Sequence, residues 1–227
     1  TLSAVAQRQG SAWQLKGDAV LNEFDPQPWF PGLPGSAWAR GPHRLNAQAQ
    51  WSLQLPESLA TAPSNRRARI DRFAAVRGQA ELRLADSVLA GIPLAGQLRL
   101  DHPSASTPLA VSGALDAGGN QLRLDASLAA SSLRGADDRW TLTARAPQLA
   151  RLAPLLTLIP RAEGSALLEG FGGALEGEAR LAGRWPDLTL HGQAQAPMLR
   201  AGPLQLQGTQ ARWQVGSHVS DPLDVLA

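Results

Sequence analysis

Residues Gln121-Leu122-Arg123-Leu124-Asp125-Ala126-Ser127-Leu128 alternate polar and apolar without a slip. Successive side chains of a strand point to opposite faces. A period of two therefore puts Leu122, Leu124, Ala126 and Leu128 on one side and their polar neighbours on the other. The same reading extends outward in both directions. Ala80, Leu82 and Leu84 alternate with Gln79, Glu81 and Arg83, and Leu98 and Leu100 alternate with Gln97, Arg99 and Asp101. Later come Leu142 and Ala144, then Leu188 and Leu190, Leu204 and Leu206, and Ala211, Trp213 and Val215. The expected sheet is wet on one face only.

Turn signals separate these runs: Gly91, Asp116 to Asn120, Asp137-Asp138, Gly172-Gly173, Trp185-Pro186-Asp187 and Gly202-Pro203. Their spacing is that of an antiparallel meander. A small unit, L-x-G followed by alternating polar residues, recurs in "LKGDAVL", "LAGQLRL", "LEGEARLAG" and "LHGQAQA". Such loose self-similarity fits an elongated sheet that grows by adding hairpins. The expectation is a mainly β chain: one continuous segment, 1–227, of a longer protein, folded as a curled antiparallel sheet with an apolar groove. A β-sandwich is the alternative, since it too buries alternating faces. The Ala-rich inward positions leave little bulk to fill the space between two sheets.

Two segments break the alternation. Residues 24–44, "FDPQPWFPGLPGSAWARGPHR", are dense in Pro, Gly and Trp. Pro cannot sit in a central strand, so this is a long loop. Residues 147–159, "PQLARLAPLLTLI", place Leu149, Leu152, Leu155 and Leu156 on a helical stripe that Pro154 would kink or split. One or two short helical turns against the apolar face are expected there. A polar and basic stretch at 57–75, with Arg66, Arg67, Arg69 and Arg72, reads as a solvated loop.

Composition narrows the function classes. The chain is 44% hydrophobic but only 5% aromatic, with no Tyr and one Met, so its apolar content is mainly Ala, Leu and Val. Absence of Cys excludes disulfides, thiolate zinc sites and a thiol nucleophile. The net charge is only +2. The pI near 10.3 arises because Lys16 is the sole lysine and the other basic residues are Arg. Without aromatics interleaved in the basic run, no nucleic-acid partner is expected. No run approaches the ~20 apolar residues of a membrane span. The chain starts without a signal peptide and ends on an apparent half-strand, as a piece of a longer protein would.

Three stretches together resemble the large periplasmic region of the TamB family, inner-membrane-anchored subunits of the translocation and assembly module within the AsmA-like superfamily. They are residues 24–56, residues 146–215 and the "GxAxLxLxG" strands between. The phrase "LAGRWPDLTLHGQAQA", followed by "LRAGPLQL", carries most of the likeness. The resemblance implies a β-taco whose groove conducts phospholipid between the inner and outer membranes. It also implies a periplasmic location, an inner-membrane anchor in the parent protein and a TamA-like outer-membrane partner. The alternative function it implies is a scaffold for assembling outer-membrane proteins. Phospholipid acyl chains would lie on Leu82, Leu84, Leu98, Leu100, Leu122, Leu124, Leu128, Leu142, Leu188, Leu190, Leu204, Leu206 and Trp213. Each buried CH₂ would contribute about 0.8 kcal/mol.

No enzyme site is legible, and no cofactor or metal is expected. His43, His102, His191 and His218 lack the spacing of a helical metal pair. His191 falls on a polar phase, and His43 reads as a packing or capping residue. "GFGGALEG" at 170–177 continues as a strand, so it reads as a hairpin turn rather than a phosphate-cradling loop. Asp137-Asp138 and Glu176/Glu178 read as exposed carboxylates without an apolar setting. Trp29, Phe30 and Trp38 cluster in the long loop, either as a mini-core that pins it or as a gating or binding surface.

Overall fold

Twelve strands follow one another in chain order through a single antiparallel sheet. The structure is a computed structural model and describes residues 1–30, 32, 34–56, 76–104, 106–129, 132–156, 170–184, 187–216 and 223–226. The first half comprises β1 (Leu2–Gln9), β2 (Ala12–Phe24), β3 (Leu45–Pro56), β4 (Arg77–Leu89), β5 (Ile92–His102) and β6 (Leu109–Ala117). The second half comprises β7 (Asn120–Leu128), β8 (Arg139–Ala146), β9 (Gly172–Arg184), β10 (Asp187–Ala201), β11 (Leu204–Gly216) and β12 (Leu223–Leu226). β1 pairs only with β2 and β12 only with β11, so the sheet stays open. The expected elongated meander is what forms. No second sheet faces it among the described residues, and the sandwich is set aside. The basic stretch 57–75 and His218 lie outside the described residues.

Connections alternate between two rims. The upper rim carries the β2–β3, β4–β5, β6–β7, β8–β9 and β10–β11 connections; the lower rim carries the rest. At the upper rim the β6–β7 turn is two glycines, Gly118 and Gly119, at φ 59° and 85°. Both central positions of this tight hairpin need positive φ, which only Gly adopts freely.

Three strands bulge near this rim: β2 between Leu21 and Phe24, β4 between Leu84 and Ser87, and β10 between Gln195 and Met198. Bulges bend a strand and increase its twist. Asn46, between the first two, ties them together. Its Oδ1 accepts from the Glu23 N–H at 2.7 Å, and its Nδ2 donates to the Asp86 carbonyl at 2.9 Å. The Asn46 N–H in turn donates to Ser87 Oγ at 2.9 Å, and Ser87 is fully enclosed.

The Pro-rich loop is held to the same rim. Inside it Ser36 caps the helical turn α1 (Ala37–Arg40), accepting the Ala39 N–H at 3.0 Å. Trp38 is buried beneath the loop, 3% exposed, with its indole N–H on the Phe30 carbonyl and its ring 4.3 Å from His43. His43 Nε2 donates to the Trp38 carbonyl at 2.7 Å, while Nδ1 accepts the Ala90 N–H at 3.1 Å. One imidazole thus fastens the loop to the β4–β5 turn, in agreement with its reading as a packing residue. Arg44 and Val88 exchange both backbone hydrogen bonds at 2.7 Å beside it.

Between β8 and β9 the chain makes a 3-10 turn at Leu149–Leu152 and a helical turn α2 at Ala153–Leu156. The segment divides one residue before Pro154, as the sequence predicts, although Pro147 stays outside both turns. Leu152 and Leu155 pack on Ile92, Leu94 and Ala117 of the apolar face, and α1 touches α2. Buried Asn120 clamps the segment, donating to the Gln148 carbonyl at 3.1 Å and accepting its N–H at 3.0 Å.

Two turn readings are corrected. Asp137 is exposed, but Asp138 is 3% exposed and locks the lower rim. Its carboxylate takes Arg184 Nε at 2.6 Å and Nη2 at 2.9 Å, and accepts the Ala129 N–H at 2.7 Å. Its partner lies 46 residues further along the chain, so local inspection sees only Arg134 and Arg139. Gly172 and Gly173 are likewise not a hairpin turn; they open β9 itself. At Gly173 a Cβ would stand 2.1 Å from the Met198 carbonyl, so close backbone approach explains the glycine.

Asn46→Ala is expected to cost about 1–3 kcal/mol by orphaning backbone groups in two bulges. Arg184→Ala should cost about 3 kcal/mol by stranding a buried carboxylate. Urea unfolding checks both, with exposed Asn22→Ala as a control expected to stay within about 0.5 kcal/mol.

Candidate functional site: an uncovered apolar face

Strand register aligns the apolar phases of neighbouring strands across the sheet. One row runs Ala49, Leu82, Leu98, Gly113, Leu124, Leu142, Ala179, Gly192, Trp213, each residue directly opposite the next. The row above it runs Leu21, Ala47, Leu84, Gly96, Leu115, Leu122, Ala144, Gly177, Ala194, Ala211. The row below runs Trp51, Ala80, Leu100, Val111, Ala126, Trp140, Leu181, Leu190, Val215. None of these residues carries a polar side chain. The opposite phase holds the charges, with Glu81–Arg83, Glu178–Arg180 and Arg145–Glu176 as exposed ion pairs.

The apolar rows are poorly covered. Val111 alone among them is buried, whereas Leu82, Leu115, Leu122 and Leu142 are 38–42% exposed. Among the described residues, the largest fully enclosed side chain is Ser87. A folded domain ordinarily encloses its large aliphatic side chains in a close-packed interior. Here, among the described residues, the upper-rim segments cover only the ends of β4 to β7.

The candidate lining residues divide cleanly. Leu82, Leu98, Leu124, Leu142 and Trp213 share the first row; Leu84 and Leu122 lie in the second; Leu100 and Leu190 lie in the third. Leu128 and Leu188 stand nearer the lower rim, opposite Leu109 and Gly183. Leu204 and Leu206 have the reverse parity from Ala211 and Trp213. The β10 bulge resolves this, because it sets Leu199 opposite Gly173, in phase with Leu175, and Leu206 opposite Leu199. Gly208, at φ 61°, lets β11 change phase alongside. All the candidates therefore meet on one face.

What the lining list lacks is its glycines. Gly17, Gly96, Gly113, Gly177 and Gly192 belong to the apolar phase; four of them are the Gly of an L-x-G unit, and Gly113 closes the V-x-G unit Val111-Ser112-Gly113. A Cβ on Gly17 would lie 2.5 Å from the Trp51 ring, and one on Gly192 2.1 Å from the Trp213 ring. The indoles lie over bare backbone, which flattens the face. Over β4 to β7 a depression of about 250 Å³ is lined by Leu82, Leu84, Leu98, Leu115, Leu122 and Leu124, with Gly96 and Gly113 between them. A depression of about 940 Å³ on the other face is edged by Arg83, Asp116, Arg123 and Arg145 and is open to water.

Other residues singled out in the sequence stay apart from this face or at its margin. His191 is exposed in the polar phase. His102 is 3% exposed at the lower rim; its Nδ1 donates to the Val76 carbonyl at 2.6 Å, and its Nε2 has no partner among the described residues. Glu176 and Glu178 are taken up by the ion pairs of the polar face. Among the described residues no three His, Cys, Asp or Glu side chains group to hold a metal ion, and no helix is long and apolar enough to cross a membrane. Trp29 and Phe30 separate from buried Trp38: each is 64% exposed.

Comparison with protein-family models, with curated proteins and with solved structures gave no match.

An uncovered face inverts the usual ranking of substitutions. Leu142→Ala should cost only about 1 kcal/mol, against about 2–5 kcal/mol in a closed core. Gly192→Ala, which drives a methyl into Trp213, should cost about 1–3 kcal/mol. Thermal and urea melts of the two variants check the order.

Proposed function

We propose that this chain is a section of a hydrophobic β-groove that conducts phospholipid between the inner and outer membranes of a Gram-negative periplasm, as in the TamB family it resembles. One observation carries the reading: rows of Leu, Ala, Gly, Val and Trp, free of polar side chains, cross the sheet side by side with no second layer over them among the described residues. Acyl chains match such a surface because burial against it requires no hydrogen-bond partner and no fixed register. Each methylene removed from water contributes about 0.8 kcal/mol wherever it sits, so a chain can slide without crossing specific contacts. The parent protein would supply the membrane anchor and the contact with a TamA-like partner.

Photo-reactive residues at Leu98, Leu100 and Leu124, and at Arg99 and Arg123 on the same strands, test the reading. Lipid adducts at the three Leu positions and few at the Arg positions are expected, with phospholipid co-purifying in native mass spectrometry. Protein adducts at the Leu positions would instead favour a scaffold for outer-membrane protein assembly. Equal labelling of both faces would remove the groove.

A further inference from the structure

We propose that the tip of the β2–β3 loop, Trp29 and Phe30, inserts into the interfacial layer of a lipid bilayer. This inference rests on the loop and not on the apolar face. Both rings stand in solvent, 64% exposed, although each has an apolar body that water solvates poorly. Among the described aromatic rings Trp29 stacks on Phe24 alone, at 6.3 Å between centroids.

The backbone beneath them is prepared to leave water. Pro26 and Pro28 have no N–H. The Gln27 N–H donates to Asp25 Oδ1 at 2.9 Å. The Trp29 and Phe30 N–H groups both donate to the Pro26 carbonyl, at 3.0 and 3.1 Å. Every backbone donor from 26 to 30 is thus absent or satisfied within the tip. Entry into the interfacial layer would therefore strand no backbone N–H of this stretch, its carbonyls can still meet the water and headgroups of that layer, and a protein partner finds no main-chain donor to recognise.

The tip is also tied down on several sides. Buried Trp38 supports the Phe30 carbonyl, Gln27 Nε2 donates to the Ala39 carbonyl at 2.8 Å, and His43 ties the loop to β4–β5. Insertion would order little that is not already ordered. An aromatic pair on a fixed stem is the anchor chemistry of membrane–water interfaces, where Trp and its neighbours sit at headgroup depth. A single such tip gives shallow, reversible attachment.

The chain has no Cys, so single cysteines can be introduced and labelled with an environment-sensitive fluorophore. Three positions suffice: Phe30→Cys at the tip, Leu98→Cys on the apolar face and Gln97→Cys on the polar face. With vesicles of phosphatidylethanolamine and phosphatidylglycerol, Phe30→Cys should shift to the blue and Gln97→Cys should not. Trp29→Ala/Phe30→Ala, which alters only exposed side chains, should keep its circular dichroism and weaken vesicle partition at least about tenfold. A shift at Leu98→Cys without one at Phe30→Cys would overturn the tip and leave the groove standing. Unchanged partition of the double variant, or a tip that stays in water and crosslinks to protein, would overturn it equally.

Discussion

Register is the constraint on which this molecule depends. A sheet with one apolar face tolerates no one-residue slip, because a slip turns every side chain of a strand to the wrong side. Here the rows extend through successive antiparallel pairings with Leu, Ala, Gly, Val or Trp at each crossing. Where a strand must change phase it does so at a bulge, as β10 does after Gln195, with β11 changing alongside it at Gly208. With no second layer among the described residues, the backbone ladder and these aligned rows do what a closed core does elsewhere.

Covering such a face partly is a local matter. The upper rim is folded inward by bulges that Asn46 stitches together, and by two loop segments fastened through His43 and Asn120. The lower rim is locked by Asp138 and Arg184. Between them the face is uncovered among the described residues, and glycines sit where indoles and leucines pass. The bare positions and the lack of polar groups have the same origin, the L-x-G or V-x-G unit, which sets a glycine two residues after an apolar side chain.

Much of this was legible in the sequence. Period-two alternation identified the strands and their apolar phase, because side-chain direction in a strand is fixed by parity alone. Pro and Trp density marked the β2–β3 loop, and the Leu spacing with Pro154 marked the divided turn at 149–156. Long-range partners were not legible. Asp138 looked like an exposed turn residue because Arg184 is remote in sequence, and Gly172-Gly173 looked like a turn because nothing local reveals the Met198 carbonyl beside them. The Trp cluster was half legible: three aromatics in one loop fit either a mini-core or a gating or binding surface, and the loop divides them, with Trp38 buried and Trp29 and Phe30 outside. The groove's occupant is not written in the parity pattern, which specifies a surface and no ligand.

The most direct test is methyl NMR of the full chain with a spin-labelled fatty acid, whose unpaired electron broadens the methyls it approaches. An acyl chain lying on the uncovered face predicts broadening of Leu82, Leu98, Leu124 and Leu142. Val20, in the polar phase of β2, should keep its linewidth. Equal broadening of Val20 and Leu98, or none at either, would contradict the central claim that this face is open and receives apolar chains.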